Sequence, residues 1–278
     1  MRGSRQQRGF TLIEMITTVV IIGIIAAVIT PVINIAMRSY ADTEARHDLT
    51  ARGRIAIERI ARELRHAVPN SISIINDGTG QEGIEFLSAR TGGRYVAAID
   101  NFGSAFSVVG RRFEKGVSRT ALYLIVPGLS FQSGDHLVIG NGSPTALSTG
   151  ATVVPISTIS DTLLATDGTA DGKVVTFGAH TFPNNSPGKH AQIADYTHEV
   201  GIAGDGLHWH RNSGISHFDL AQDWSAADPL LVHGVTGVNF TYIPGTPQST
   251  GTLRIELALA NDKESIELYH EIQIRNTP

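Results

Sequence analysis

A run of 23 residues without a charged side chain, from Met15 to Met37, limits what this sequence can fold into more than any other feature does. About 20 apolar residues suffice for a helix to cross the hydrocarbon core of a membrane. Three arginines, Arg2, Arg5 and Arg8, come before the run, and residues 1–9 contain no acid. Because cationic flanks of a membrane helix stay on the cytoplasmic side, this order predicts a single-pass anchor whose C-terminal body is exported.

Two other kinds of membrane-targeting segment compete for this region. A secretory signal peptide also places an apolar stretch after a basic one, but it ends at a small-residue cleavage site. Residues 26–36 contain no convincing A-x-A site, and the run is longer than that of an ordinary signal peptide. A plain signal anchor explains the run and the arginines but not Glu14, an ionisable residue at the start of the apolar helix. Taken alone, Glu14 is equally compatible with a carboxylate close enough to the interface to reach water.

Residues 9–14 read Gly-Phe-Thr-Leu-Ile-Glu. This string resembles the prepilin cleavage and methylation motif at every position, and the basic segment before it and the apolar run after it fit the same type IV pilin-like family. The resemblance implies that a membrane-embedded aspartyl peptidase, the prepilin peptidase, cuts after Gly9 and methylates the new N-terminal Phe10. It therefore implies a leader peptide over residues 1–9.

Glu14 then acquires a specific role by resemblance. It lies four residues after Phe10, on the same face of a helix. After cleavage Phe10 would carry a positively charged amine, and two charges in apolar surroundings are costly unless they are paired. In this family the glutamate pairs with the terminal amine of a neighbouring subunit and sets the axial register, so the resemblance makes Glu14 an assembly residue rather than a catalytic one.

Helical spacing continues beyond the apolar run. Pro31 removes one backbone hydrogen bond and crowds the preceding turn, so we predict a kink there rather than an end. Pro69 is expected to end the element. We therefore predict one helix, with residues 10–37 in the membrane or the filament core and residues 38–68 as an amphipathic continuation. Small or apolar residues recur along this second half at Ala45, Leu49, Gly53, Ile57, Ile60, Leu64 and Val68.

Seven arginines between Arg38 and Arg65 raise the question of a nucleic-acid or lipid surface. Five acidic residues are interspersed with them, and acid-before-base pairs four residues apart favour a solvated, salt-bridged helix face. The whole chain has a net charge of -4. We expect no nucleic-acid partner, and contact between Arg38 and anionic lipid is the alternative that stays open.

After Pro69 the apolar period changes from that of a helix to that of strands. The clearest pattern is at the C-terminus, where two alternating segments are joined by Asn261-Asp262-Lys263 and predict a hairpin. The sequence thus predicts an α+β fold, with the long helix packed on one β-rich domain over residues 69–278 and an excursion around residues 141–190. Further strands are predicted over residues 71–75, 84–87, 95–99, 122–126, 137–139, 174–177, 207–211 and 238–243.

Three segments, residues 50–72, 131–142 and 270–278, resemble larger minor pilins. The nearest are the O-type minor pilins of the mannose-sensitive haemagglutinin (MSHA) pilus, with the J-type pseudopilins of type II secretion as relatives; residues 141–230 have no counterpart. The chain contains no cysteine, which excludes disulfides and thiol chemistry and departs from the cysteine pair of many major pilins.

The resemblance implies a minor pilin that is held in the inner membrane with its body in the periplasm and then enters a surface pilus. Its partners would be the prepilin peptidase and other major and minor pilins, bound through the N-terminal helix. A type II secretion pseudopilin and a tip adhesin are the alternatives. We predict no enzyme, because the sequence has neither a nucleophile elbow nor a phosphate-binding glycine loop.

Two local patterns are candidate metal sites, and each has a simpler explanation. His208 and His210 would share one face of a strand, but spacing identifies no third ligand, and a polar strand face explains them equally well. Residues 167–172 resemble the start of a calcium loop, yet Gly178 stands where the bidentate glutamate belongs, so we favour two β-turns. We therefore predict no metal site and no cofactor. Trp209 and Trp224 are predicted to be core residues rather than an adhesin surface.

Overall fold

The computed structural model describes residues 10–76, 82–97, 111–126, 132, 134–163, 171–213, 215, 218–245 and 249–274. A single long helix, α1 (Leu12–Leu64), precedes a body built almost entirely of strands. This confirms the predicted α+β fold. The predicted leader, residues 1–9, and residues 167–170 of the calcium-like pattern at 167–172 lie outside the described residues.

The ends of α1 differ from the predicted helix over residues 10–68. At the N-terminus Thr11 is the capping residue, so Phe10 lies before the helix. At the C-terminus the helix stops at Leu64, well before Pro69. The chain leaves the helix there because its backbone pairs with a strand: the Val68 N–H donates to Leu87 O at 2.8 Å.

Twelve strands and one short helix follow α1 in the described part of the chain. The eight strands predicted outside the hairpin overlap seven of them, and the predicted hairpin accounts for two more, whereas β5, β7 and β9 had not been predicted. Of the predicted strand 95–99, only Tyr95 lies in a strand, and residues 98–99 lie outside the described residues. The elements are β1 (Ser73–Asn76), β2 (Glu82–Tyr95), β3 (Ser118–Ile125), β4 (His136–Ile139), α2 (Pro144–Ser148), β5 (Val153–Leu163), β6 (Asp171–Thr181), β7 (His190–Ala203), β8 (Gly206–Ser213), β9 (Leu230–His233), β10 (Val235–Ile243), β11 (Gly251–Ala260) and β12 (Ser265–Ile274).

Six antiparallel strands close into a ring in the order β2-β3-β6-β5-β4-β7, which we call the barrel. The ring closes because β7 pairs with β2 along most of its length, from Ile84 opposite Val200 to Arg94 opposite His190. One buried cluster takes side chains from all six strands, among them Tyr95, Leu122, Leu137, Val154, Val175 and Ile193. The predicted excursion at residues 141–190 is therefore wrong, since β5 and β6 belong to this continuous sheet.

A second buried cluster joins α1 to the rest of the body. It includes the helix residues Leu49, Ile57, Ile60 and Leu64 together with side chains from β2, β7, β8, β10, β11 and β12. Gly53 sits where the helix comes closest to the sheet, because a Cβ there would lie 2.4 Å from Leu268 Cδ1. The predicted apolar stripe thus packs as expected, with Ala56 and Ala61 added to it.

The predicted C-terminal hairpin is confirmed. β11 and β12 pair from Gly251 opposite Ile274 to Ala260 opposite Ser265. Asn261 shapes the turn, since its Oδ1 accepts the Lys263 N–H at 2.9 Å and the Glu264 N–H at 2.8 Å. The inward positions of β11, Leu253, Ile255, Leu257 and Leu259, are all buried.

Candidate functional site

The first half of α1 projects from the body without contact to it. Every large apolar side chain from Leu12 to Met37 is exposed, with exposed fractions between 47% and 81%. In the described part of the chain, α1 is the helix that is long and apolar enough to cross a membrane. An apolar surface of this size needs lipid or other protein around it.

The N-terminal end of this surface carries a capping box formed by Thr11 and Glu14. The Glu14 carboxylate accepts the Thr11 N–H at 3.1 Å and the Thr11 hydroxyl at 3.1 Å. In return the Glu14 N–H donates to Thr11 Oγ1 at 3.4 Å. An acid in the first turn is also favoured by the helix dipole. Within one subunit, therefore, the carboxylate is held by its own helix end.

Phe10 lies next to this capping box and is 86% exposed. Gly9, the other residue of the predicted cleavage site, lies outside the described residues. Phe10 itself precedes the helix cap at Thr11. The predicted roles of Gly9 and Phe10 in cleavage and methylation stay predictions.

Pro31 is in the middle of the exposed half, and α1 continues through it. The helix keeps local polar bonds around this point, since the Thr30 hydroxyl donates to Ala26 O at 2.7 Å. The predicted continuation beyond Pro31 is confirmed, and the kink itself stays a prediction.

The second half of α1 is fixed to the body by polar contacts as well as by its apolar stripe. The guanidinium of Arg46 donates to Glu264 in the β11–β12 turn at 2.9 Å. The guanidinium of Arg59 lies 5.6 Å from the ring centre of Trp209, at cation–π distance. Of the predicted pairs along the helix, Asp48 and Arg52 form an ion pair at 2.7 Å.

His208 and His210, the predicted pair on β8, are both engaged by Asp228. His208 Nδ1 lies 2.9 Å from the Asp228 backbone oxygen, and His210 Nδ1 lies 2.7 Å from Asp228 Oδ1. The two tryptophans are core residues as predicted, with Trp209 and Trp224 buried.

Two buried acids, Glu85 and Glu199, had no signal in the sequence. Burial, together with the nearby Glu199, raises the pKa of Glu85 to about 8. Burial likewise raises the pKa of Glu199 to about 7, against a backbone hydrogen bond from Asp223 that lowers it. Both acids accept hydrogen bonds from the backbone of a loop, residues 218–229, that covers the sheet where they lie.

A comparison with protein families finds a similarity at the N-terminus, which extends from before α1 into its exposed half. The family model for the prokaryotic N-terminal methylation motif matches residues 4–30. The chain matches no curated protein and no solved structure. The motif and the apolar helix support a type IV pilin-like or pseudopilin-like protein that is anchored in a membrane, and they imply a structural protein rather than an enzyme. A prepilin motif also implies processing by prepilin peptidase and association with other pilins.

Proposed function

We propose that this chain is a minor pilin of a type IV pilus of the MSHA kind, made as a prepilin and incorporated into a filament or its initiating complex. The observation that carries the proposal is the bare apolar half of α1, which begins inside the matched methylation motif. Such a helix can be surrounded by lipid before assembly and by the helices of neighbouring subunits afterwards. The same surface thus serves both states without refolding of the body.

In this proposal residues 1–9 are the leader, which prepilin peptidase removes before Phe10 is methylated. Residues 10–37 are the membrane segment and later the filament core. The packed half of α1 and residues 69–278 form the periplasmic part, which reaches the cell surface in the pilus. The size of the body supports a tip position, because a bulky subunit is hard to place at every step of a shaft.

Glu14 is proposed to set the register between subunits. The capping box supports this role, since it keeps the carboxylate bonded to Thr11 until another partner arrives. The free amine of Phe10 in a neighbouring subunit would give the Glu14 carboxylate a charge–charge contact in place of its hydrogen bonds to the N–H and hydroxyl of Thr11. In an apolar filament core such a charge-assisted contact is stronger than a neutral one, and an unpaired carboxylate is strongly disfavoured.

The first test is mass spectrometry of the N-terminus, on sheared surface filaments and on inner membranes separately. The proposal expects a chain that begins at N-methylated Phe10 in the filament fraction. The same processed chain confined to the envelope would leave either a low-copy subunit of the initiating complex or a secretion pseudopilin. An intact Met1–Gly9 leader in both fractions would overturn the proposal and leave an anchored periplasmic protein.

The second test replaces the Glu14 carboxylate. Glu14→Val should leave membrane insertion intact, because it removes a charge from an apolar helix, but it should lower the amount of this subunit in filaments. Glu14→Gln is the matched variant that keeps the side-chain size and the hydrogen bonds to Thr11 while it loses the charge. Normal incorporation of both variants at normal expression would contradict the register role.

A further inference from the structure

Three polar side chains stand in a row across the sheet, on the face opposite α1. Glu85 on β2 is the register partner of Glu199 on β7, and Glu199 is the register partner of His210 on β8. Their neighbours along the strands, such as Val200 and Trp209, belong to the cluster that packs on the helix. Because side chains alternate along a strand, the row points away from α1.

The loop formed by residues 218–229 is clamped onto this row. Trp224 lies flat on Gly83 and Gly201, where any Cβ would come within 2.3 Å and 2.0 Å of its ring. Its indole N–H donates to Ile202 O at 3.1 Å. The backbone of the loop also bonds the acids, since the Asp223 N–H donates to Glu199 Oε2 at 2.8 Å. Asp223 is therefore held above Glu199 and His210.

In the described part of the chain, Glu85 and Glu199 nevertheless each have one carboxylate oxygen without a hydrogen-bond partner. The Leu220 N–H donates to Glu85 Oε2 at 3.1 Å. Glu85 Oε1 and Glu199 Oε1, by contrast, are buried and have no hydrogen-bond partner in the described part of the chain. The two residues are 0% and 1% exposed. A buried carboxylate oxygen without a partner is costly, and either a proton or a bound cation relieves that cost.

The donor geometry at Glu199 fits a metal ion. One carboxylate oxygen each of Glu199 and Asp223 and one ring nitrogen of His210 lie within 4.8 Å of one another. Tetrahedral ligands at about 2.0–2.2 Å from one zinc ion lie about 3.3–3.6 Å apart, so the three side chains would close around the ion.

The environment of His210 suits a ligand as well. Asp228 Oδ1 at 2.7 Å from Nδ1 favours the tautomer with its proton on Nδ1, which leaves the lone pair on Nε2. Asn212 Nδ2 lies 2.7 Å from Nε2 and donates to that lone pair, so a metal ion would take the place of this hydrogen bond. A carboxylate behind the second ring nitrogen is the usual way in which proteins orient a metal-binding histidine.

We propose that Glu199, His210 and Asp223 bind a divalent transition-metal ion, zinc by preference, and that the ion fastens the loop of residues 218–229 to β7 and β8. An imidazole nitrogen among the donors favours zinc over calcium, which prefers oxygen ligands alone. Glu85 adds a second carboxylate next to Glu199 and increases the negative charge around the ion. The site lies in the body and does not depend on the proposed role of α1.

The test uses the full chain, untagged, purified in detergent and treated with EDTA. Titration with ZnCl2 should give one ion per chain by calorimetry. At zinc concentrations about 100-fold above Kd, the thermal midpoint should rise by about 5–10 °C. Absence of both the binding heat and the midpoint shift would overturn the proposal, and so would a shift with CaCl2 but none with ZnCl2.

Variants locate the ion. Asp223→Asn keeps the backbone bond to Glu199 and should preserve the midpoint of the metal-free chain while it weakens zinc binding at least about tenfold; His210→Ala should weaken it similarly. Asp205→Asn and His233→Ala are matched controls, since these two exposed side chains lie 3.8 Å from each other, outside the proposed ligand set. Unchanged zinc affinity in Asp223→Asn and His210→Ala would place the ion elsewhere and refute the site.

Discussion

The two halves of α1 belong to one continuous helix but face different surroundings. Ile24 in the first half is 60% exposed, whereas Ile60 in the second half is 0% exposed. The first half is apolar on all sides, while the second half carries one apolar stripe among charged residues. A helix with one apolar stripe can bury that stripe against one sheet, but a helix that is apolar all round needs apolar neighbours in every direction. The comparison teaches that the body uses only half of its own helix and leaves the other half for an environment outside the subunit.

The largest effect should come from the same truncation made in each half. Ile60→Ala removes fully buried methyl groups and should lower the free energy of unfolding of the body by about 2–5 kcal/mol. Ile24→Ala, the matched variant in the exposed half, should change it by less than about 0.5 kcal/mol. Denaturant unfolding in detergent, followed by tryptophan fluorescence, measures both. Equal effects of the two variants would show that the exposed half also packs on the body.

A smaller effect should follow from pH at the contact between the packed half and the sheet. Burial lowers the pKa of His198, and the guanidinium groups of Arg211 and Arg59 lower it too, whereas Asp195 raises it. The resulting pKa is about 4. The neutral ring accepts the Trp209 indole N–H at 3.0 Å and lies 3.2 Å from Ser88 Oγ. The unfolded chain takes up a proton near pH 6.5 but the folded chain does not, so the contribution of His198 to the free energy of unfolding should fall as pH drops from about 6.5 to 4.

This loss should amount to roughly 1–3 kcal/mol and should be absent above pH 7. Denaturant unfolding at a series of pH values, with EDTA present, measures it. Glu85 and Glu199, whose pKa values burial raises, act in the opposite direction over this range, because the folded chain holds their protons where the unfolded chain has lost them. The His198 contribution is therefore measured as the difference between the unmutated chain and His198→Gln, which keeps an acceptor for Trp209 but cannot take up a proton. This difference should shrink from pH 6.5 to 4, and a difference that does not change with pH would contradict the role of His198.

The smallest effect is expected where the two halves meet. Arg46 and Glu264 form an ion pair at 2.9 Å, but the arginine side chain is 65% exposed. Exposed pairs contribute little because water and salt screen them. Arg46→Ala should therefore leave the thermal midpoint within experimental error, at both low and high salt. A clear, salt-sensitive drop would mean that this contact, and not only the apolar stripe from Leu49 onward, fixes the helix to the body.

Sequence reasoning worked where the determining interactions are local. The apolar run, the stripe from Leu49 to Leu64 and the β11–β12 hairpin all have periodicities that follow from one element or one turn. The motif around Glu14 is likewise contiguous, and the capping box follows from a threonine three residues before a glutamate.

The barrel and the buried acids could not be predicted in the same way. Which strand pairs with which depends on contacts far apart in the chain, as in the pairing of β2 with β7. Apolar and polar residues also do not alternate cleanly along β7. His198 and Glu199 lie on opposite faces of the sheet, and both are buried. The His208–His210 pair was the one available signal for the polar row, but Glu199 and Asp223 reach His210 only through the pairing of β7 with β8 and the path of the covering loop.

The closed ring of strands also bears on how such a body can diversify. The chain enters the barrel along β2 and leaves it along β7, and the two strands run side by side, with Ala89 opposite Ala194. An insertion whose two ends are neighbours can grow, shrink or be exchanged without moving what comes before or after it. Evolution could thus vary the barrel, and with it the outer surface of the body, while α1 and its sheet stay constant.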